Sequence, residues 1–396
     1  MPHPNESEHG DVPMPKRLVD LPRVGSRFTD ERIDRLREAG REVLNISAYP
    51  QRDLPEEIAQ SVRESMFSQD HAPANGIPGL RAAIAEYWEE RNCRPIDSGS
   101  EVLITAGAMH ALHCTLLALL DPGDEVLLYT PSYFFEGLIT LAGGRMKTAP
   151  LPAEEGFRWD VEALSRAVSP RTRVILLNTP ANPSGIVADE ACLEAIGELA
   201  ARHGLFVVCD ESYDRMVFDG GRHVSILESR TNRDRTVLVG SFTKSFALAP
   251  WRVGYVISSP TVSRGIRKVL EWTVLFCPLV NQRLAEAVLR SDRKWVAGVD
   301  KEFEENRDRM MSALTDHPTV SVSKPAGGPF VFVDLRKLED SDEALCARLV
   351  AEYGIPCTPG RFHGTEGFAR IPFGGKPELV AEAGRRVAEA FTAFAQ

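Results

Sequence analysis

The sequence predicts an α/β protein with a largely parallel sheet covered by helices, joined to a smaller α+β domain. Between about residues 101 and 258, short apolar runs alternate with segments of helical periodicity, a pattern typical of strands buried on both faces. After about residue 260 this alternation is replaced by long helices and then by a shorter mixed unit. With 396 residues, 43% of them hydrophobic, the chain is long enough to form two domains.

Apolar runs bounded by turn residues define the elements of the larger unit. Strand 125–129 follows the turn Asp121-Pro-Gly-Asp124, and helix 189–203 begins with Asp-Glu, which suits the positive end of a helix dipole. The predicted strands are 101–105, 125–129, 172–178, 205–210, 236–240 and 253–258, and the predicted helices are 107–120, 134–142 and 189–203. Ligands of such sheets bind at the carboxyl ends of the strands, so we expect the functional site there.

Further elements are predicted on both sides of this unit. Upstream lie helices 27–42, 55–67 and 80–92 and a short strand 43–47. Downstream lie helices 261–272, 282–314, 343–353 and 377–394 and strands 328–333, 355–358 and 369–372. We therefore expect a flexible, polar and proline-rich arm (1–20), an N-terminal segment of the small domain (21–55), a large domain (56–285) and a C-terminal small domain (286–396).

The composition argues against several classes of partner. A net charge of -10 without a basic tract argues against nucleic acid, and no run approaches the roughly 18 apolar residues of a membrane span. The seven cysteines form no CxxC pair and no metal-ligand spacing. Scattered cysteines in apolar runs suggest reduced thiols, so we expect a cytoplasmic protein without a metal site.

Lys244 is the first candidate for chemistry. It lies on the connection between two predicted core strands, where loops on a rigid scaffold often carry function. A lysine amine that is neutralised by burial can act as a nucleophile toward a carbonyl. Ser241, Thr243 and Arg252 around it are groups suited to a phosphate. The alternative is a solvated loop lysine with an unrelated arginine.

Three other strand ends carry polar or turn residues. Gly107 turns a strand into a helix, which presents free N–H groups to an anion, although many glycines merely make such a turn. Asn182 lies in a rigid turn and is either a ligand or a simple turn residue. Asp210 ends a strongly apolar strand, so its carboxylate needs a partner, which a structural salt bridge would also provide. Tyr213 follows it closely.

Together these segments resemble the fold-type I pyridoxal-phosphate (PLP) enzymes of the class I/II aminotransferase family. The resemblance covers about residues 40–394 and is carried by Asn182-Pro-Ser-Gly185, Asp210-Glu-Ser-Tyr213 and Ser241-Phe-Thr-Lys244, with Arg252 eight residues after Lys244. It implies a mostly parallel seven-stranded sheet covered by helices, a smaller α+β domain, PLP as cofactor, and a homodimer with shared active sites.

The resemblance also implies a role for each matched residue. Lys244 is expected to form a Schiff base with PLP and then to move the proton of the substrate α-carbon. Asp210 is expected to hold the pyridine nitrogen protonated. Asn182 and Tyr213 are expected to bind the oxygen of the ring hydroxyl, with Asn182 also near the substrate.

Further roles concern the ends of the cofactor and the substrate. The resemblance implies that Ser241, Arg252 and the backbone near Ala108 and Met109 hold the phosphate. Tyr133 is expected to stack on the cofactor ring, with a buried core tyrosine as the alternative. Arg370 is expected to clamp the substrate α-carboxylate, with a surface arginine as the alternative.

Several positions depart from the family pattern. His71 stands where many members have a tyrosine that reaches the neighbouring subunit's phosphate, and it is either a donor there or an ordinary loop residue. Ala48 replaces a frequent glycine against the substrate, and Tyr49 is expected to project into the pocket. Residues 271–277 lack the arginine of dicarboxylate-specific members, while Trp272 and Phe276 suggest either an apolar pocket lining or helix core.

These observations favour an aminotransferase that converts an α-amino acid into a 2-oxo acid. The alternative on the same scaffold is a lyase, a β- or γ-replacement enzyme, or a cyclising or oxidative enzyme of specialised metabolism. A non-catalytic PLP-fold regulator is disfavoured by the intact Lys244, Asp210 and Arg370.

Overall fold

The computed structural model of the protein describes residues 14–50 and 52–396. The arm predicted for residues 1–20 therefore lies mostly outside the described residues. The division into domains at residues 55 and 285 stays a prediction. None of the helices in the described part of the chain combines the length and the apolar composition needed to cross a bilayer.

A seven-stranded sheet forms the centre of the molecule, as expected. Its order is β1-β7-β6-β5-β4-β2-β3; β2 to β6 are parallel, whereas β7 is antiparallel to both β6 and β1. The strands are β1 (Val102–Thr105), β2 (Glu125–Thr130), β3 (Arg145–Pro150), β4 (Thr172–Asn178), β5 (Phe206–Asp210), β6 (Thr236–Ser241) and β7 (Gly254–Ser258).

Helices bury both faces of this sheet, and its central strands are accordingly apolar at nearly every position. Side chains alternate between the faces, so Val207 joins one hydrophobic cluster and Val208 the cluster on the opposite face. Helices cover the two faces. These are α3 (Glu56–Ser65), α4 (Pro78–Glu89), α5 (Ala108–Leu119), α6 (Glu136–Leu141), α7 (Val161–Ala167), α8 (Glu190–His203), α9 (Pro260–Thr273) and α10 (Leu279–Arg290). Two helices precede them, α1 (Lys16–Val19) and α2 (Gly25–Glu38), and α2 buries Phe28 and Ile33 in a different hydrophobic cluster.

A second, antiparallel sheet lies in the C-terminal third, in the order β10-β11-β9-β8. Residues near both ends of the chain share its apolar core; Ile46 and Phe373, for example, belong to the same buried cluster. Its elements are α11 (Lys294–Leu314), β8 (Ser321–Val322), β9 (Phe330–Asp334), α12 (Asp342–Tyr353), β10 (Thr358–Pro359), β11 (Phe368–Pro372) and α13 (Pro377–Phe394).

Some predicted elements differ from the observed ones. The strand predicted at 43–47 is wrong, since only Ser47 forms a bridge, with Gly374. The helix predicted at 282–314 is two helices, because Arg293 takes a left-handed conformation between them (φ 57°). Strand β3 and helix α7 were not predicted. β3 has two exposed residues at its start and lacks the continuous apolar run that identifies the central strands.

Candidate active site

The carboxyl ends of the central strands meet at a cavity of about 430 Å³. Asn178 and Asp210 are direct neighbours across β4 and β5, so the parallel register brings their side chains to one edge. Twelve of the thirteen predicted site residues line this cavity: Ala48, Tyr49, Ala108, Met109, Tyr133, Asn182, Asp210, Tyr213, Ser241, Lys244, Arg252 and Arg370. His71 is the exception.

Lys244 follows β6 and points its amine into the cavity. Its Nζ lies 3.5 Å from the carbonyl oxygen of Ala48 and 3.5 Å from the centre of the Tyr49 ring. Burial lowers the pKa of the Lys244 amine well below its ordinary value, and the charges of Arg370 and Arg252 lower it further. The amine is therefore favoured in its uncharged, nucleophilic form.

A buried hydrogen-bond network holds the loop that carries Lys244. The next residue, Ser245, is fully buried, and its hydroxyl donates to Asp214 Oδ1 at 2.6 Å. The Tyr87 hydroxyl donates to the other carboxylate oxygen of Asp214. Asp214 therefore joins the loop that carries Lys244 to helix α4, and these buried hydrogen bonds hold the backbone next to the lysine.

Asp210 is buried at the end of β5. Oδ1 of its carboxylate accepts hydrogen bonds from the backbone N–H of Ser212 at 3.0 Å and from the Ser212 hydroxyl at 2.5 Å. Burial raises the pKa of Asp210 to about 6, although the two hydrogen bonds from Ser212 oppose the rise. A cationic partner in the cavity would stabilise the carboxylate in its ionised form.

Asn182, Tyr213 and Arg370 form one hydrogen-bonded chain across the cavity. Nη1 of Arg370 donates to Asn182 Oδ1 at 3.1 Å, and Asn182 Nδ2 donates to the Tyr213 hydroxyl at 3.1 Å. The Arg370 guanidinium lies 5.2 Å from the ring centre of Phe134 and 4.4 Å from that of Phe330. Both rings lie within cation–π distance of the guanidinium, which lines the cavity and can receive a carboxylate there.

An anion-binding arrangement is built at the turn from β1 into α5. Gly107 has φ +84°, and a Cβ at this position would lie 2.6 Å from Nη2 of Arg252. Nη1 of Arg252 donates to the Thr243 hydroxyl at 3.2 Å, and Ser241 lines the same part of the cavity. The N-terminus of α5 has no side-chain cap, so its first backbone N–H groups are available to a ligand.

Of the remaining predicted residues, Tyr133 and Met109 line the cavity and His71 does not. Tyr133 lies against Phe134 and Phe135, with ring centres 5.0 and 5.3 Å away, and Met109 is partly exposed in the cavity. His71 is exposed and does not line the cavity of this chain; its ring lies 5.6 Å from that of Phe276.

A sequence model of the family described as aminotransferase class I and II matches residues 42–387. The chain belongs to this family. An arginine–pyruvate transaminase of Pseudomonas aeruginosa is 32% identical over 357 residues, which are 89% of this chain and 90% of that protein. The relationship therefore extends over almost the whole chain.

Solved structures of aminotransferases have the same fold. Aspartate aminotransferase from Thermus thermophilus with maleate has a TM-score of 0.89 at 26% identity, covering 96% of this chain and 99% of that one. An aromatic aminotransferase from Pyrococcus horikoshii has a TM-score of 0.84 at 27% identity, covering 91% and 99%. This chain is a PLP-dependent aminotransferase of fold type I, as its motifs predicted.

The described residues fit PLP. The turn at Gly107 with Arg252 offers donors to a phosphate, and the buried carboxylate of Asp210 suits a protonated ring nitrogen. The Lys244 amine, whose pKa is lowered by burial, suits an aldehyde carbon. These three chemistries occur in one cavity, as a single phosphorylated heterocycle would require.

Sequence reasoning did not identify five residues that line the cavity: Ser26, Leu112, Phe134, Ser212 and Phe330. Ser26 belongs to α2, far from the motifs in sequence, and Phe330 opens β9 of the second sheet. No local signal marks them, since only tertiary packing brings them to the cavity. Ser212 could have been found, because it lies inside the motif that contains Asp210 and Tyr213.

Proposed function

We propose that this aminotransferase binds PLP through Lys244 and acts on α-amino acids with aromatic or other apolar side chains. The observation that carries the proposal is the lowered pKa of Lys244 in a cavity that also contains Asp210, Arg252 and Arg370. Bound PLP supplies an electron sink that stabilises negative charge at the substrate α-carbon.

One group of cavity residues binds the phosphate of the cofactor. Ser241, Thr243, Arg252 and the backbone N–H groups of Ala108 and Met109 bind the phosphate. This assignment is supported by the uncapped helix α5 and by the glycine turn against Arg252.

Four residues bind the cofactor ring. Asp210 pairs with the protonated pyridine nitrogen, and Asn182 with Tyr213 binds the ring oxygen. Tyr133 covers one face of the ring. The hydrogen bond between Asn182 and Tyr213 supports this arrangement, because it already directs both side chains to the same point.

Lys244 also moves the proton of the substrate α-carbon. Burial lowers the pKa of the Lys244 amine, which favours the uncharged form that can accept this proton, and the Ser245–Asp214 hydrogen bond keeps its backbone in place. Arg370 binds the substrate α-carboxylate, since its guanidinium is held between two rings with Nη1 and Nη2 close to Asn182 and Thr358.

The lining of the cavity supports an apolar substrate side chain. Two arginines line it, Arg252 and Arg370, and both are assigned to the phosphate and the α-carboxylate. Tyr49, Phe134 and Phe330 provide aromatic surface beside Arg370. The family resemblance places residues 271–277 at the partner subunit's pocket, and they also contain no arginine, which disfavours a second carboxylate on the substrate.

We further propose a cytoplasmic homodimer in which His71 approaches the partner's phosphate. Support comes from large apolar side chains that are exposed in this chain: Phe67 (83%), Trp272 (91%) and Leu275 (52%). Large apolar side chains exposed to this degree are candidates for an interface, and a second copy of the chain would cover them. Ala48 and Tyr49 complete the substrate side of the pocket within each subunit.

A panel of amino donors with 2-oxo acid acceptors tests the function, with the 2-oxo acid product identified by mass. Phenylalanine is expected to give a kcat/KM at least about tenfold above that of aspartate. The reason is that the side-chain carboxylate of aspartate would be buried in the pocket without a cationic partner. Lys244→Ala is expected to lose the visible absorbance of bound PLP and all turnover. Product formation only with aspartate or glutamate would contradict the substrate class, and no product with any donor would contradict the function.

A further inference from the structure

The turn that leads from β1 into α5 is held from several sides. Gly254 of β7 packs directly against it, since a Cβ at residue 254 would lie 2.5 Å from the carbonyl carbon of Gly107 and 2.7 Å from the backbone nitrogen of Ala108. On another side, Arg252 approaches Gly107 closely. The Thr105 hydroxyl donates to the carbonyl oxygen of Gly107 at 3.1 Å. The position of this turn decides where the first backbone N–H groups of α5 point.

His110, the third residue of α5, holds the same turn by a hydrogen bond. Its Nδ1 accepts from the backbone N–H of Ala106 at 3.1 Å, and Ala106 is the first residue after β1. In a capping box the third helical residue also reaches back to a backbone N–H, although there it is a glutamate or a glutamine. Because His110 pairs with an N–H that precedes the helix, the first N–H groups of α5 stay available to a ligand.

The other ring nitrogen of His110 is fixed as well. A backbone N–H can only donate, so Nδ1 carries no proton and Nε2 carries it in the neutral ring. Nε2 lies 2.8 Å from the hydroxyl of Thr273, the last residue of α9, and this hydroxyl donates in turn to the carbonyl oxygen of Leu270. The hydrogen bonds therefore form a relay that runs in one direction, from Ala106 through His110 to α9. Burial, and then the charge of His113, lowers the pKa of His110, which favours the neutral ring that the relay requires.

We propose that His110 is a positioning residue for the cofactor phosphate: its hydrogen bonds hold the turn at Gly107 against the end of α9, in the conformation in which the N–H groups of α5 bind an anion. The inference rests on the proposed phosphate site. Helices α5 and α9 also pack together in the cluster that contains Leu116 and Leu270, so α9 gives the relay a packed support. His110 does not line the cavity, and it therefore acts through the backbone and not by touching the phosphate.

The test compares the affinity of the apo-protein for PLP and for pyridoxal, which lacks the phosphate, by absorbance titration. His110→Leu removes the acceptor and is expected to weaken PLP binding at least about fivefold, the effect of one neutral hydrogen bond, with pyridoxal binding unchanged. His110→Asn keeps an acceptor on Cγ, at the place of Nδ1, and is expected to bind PLP like the wild type. A purely structural role would weaken both ligands equally. An unchanged ratio of the two affinities in His110→Leu, or an equal loss in His110→Asn, would overturn the proposal.

A second variant tests the relay at its other end. Thr273→Val removes the acceptor of the Nε2 proton and keeps the shape of the side chain. It is expected to weaken PLP binding by a smaller factor, about threefold, because Cys114 Sγ lies 3.2 Å from Nε2 and remains a weak acceptor. His113→Leu, on the same helix and also half-buried, is the matched control and should change neither affinity. Wild-type affinity for PLP in Thr273→Val would contradict the relay.

The proposed phosphate site has a separate readout. Arg252→Gln is expected to lower the ratio of PLP affinity to pyridoxal affinity more than His110→Leu does, since it removes a charged donor. If Arg252→Gln lowers this ratio and His110→Leu does not, only the role of His110 is refuted. If neither variant lowers the ratio, the phosphate site itself is wrong, and the inference fails with it.

Discussion

The two ends of the cavity are built in different ways. The end proposed to bind the phosphate uses two short stretches of chain: the turn at Gly107 with the uncapped helix α5, and the side chains from Ser241 to Arg252. The substrate end uses side chains from separate parts of the chain: Ser26 in α2, Tyr49 in a loop, Phe134 before α6 and Phe330 in β9. The first end is encoded locally, whereas the second depends on how distant segments pack.

The largest effect is expected at the substrate end, from Arg370→Lys. A lysine cannot donate two parallel hydrogen bonds to a carboxylate, so kcat/KM for phenylalanine is expected to fall about 100-fold, with the affinity for PLP unchanged. Steady-state kinetics and PLP titration measure the two quantities. Arg336→Lys, at an exposed arginine paired with Asp334, is the matched control. An equal loss of PLP affinity would show that the two ends are not independent.

The next effect is expected at the phosphate end, from Gly107→Ala. The new Cβ would meet the Arg252 guanidinium at 2.6 Å, so the affinity for PLP is expected to fall about tenfold or more while the ratio of kcat/KM between substrates stays constant. Gly123→Ala is the control, since Gly123 has a similar positive φ but no heavy atom within 4 Å of the added Cβ. It reports the cost of backbone strain without the clash. Equal affinities in the two variants would refute the role of the Gly107 turn.

A smaller effect is expected when pH changes the charge of Asp210. The carboxylate must be ionised to pair with a protonated pyridine nitrogen, and its pKa in the free protein is about 6. PLP binding is therefore expected to be constant above this pH and to weaken as pH falls below it, by up to about tenfold per unit. Titrations of the apo-protein between pH 5 and pH 8 measure this dependence.

Asp210→Asn should bind PLP weakly at every pH and lose the dependence. Asp300→Asn is the matched control, because burial also raises the pKa of Asp300 to about 6 and Asp300 does not line the cavity. If Asp300→Asn removes the pH dependence and Asp210→Asn does not, the assignment of Asp210 is wrong.

The contrast between the two ends also explains how much the sequence revealed. Lys244, Asp210 and Asn182 could be predicted because each follows a buried strand, and parallel strands bring their carboxyl ends together. Their meeting in one cavity agrees with the predicted site, while their individual roles stay proposals. The seven-stranded sheet was predicted from the family resemblance and is confirmed.

The substrate end could not be predicted to the same extent. Phe134 and Phe330 look like ordinary core residues in the sequence, since nothing local shows that their rings flank Arg370. His71 was predicted from a family position and lies outside the cavity of this chain; its suggested role depends on a second subunit.

The Ser245–Asp214–Tyr87 network has a consequence for which residues of this protein can be substituted without moving Lys244. It anchors the reactive lysine to the interior, through residues that do not line the substrate pocket. Residues around Phe134 and in the N-terminal segment can then be substituted, so that the pocket binds different amino acid substrates, without moving the lysine. We therefore expect substitutions near Phe134 to alter the range of accepted amino acids while the position of Lys244 stays the same.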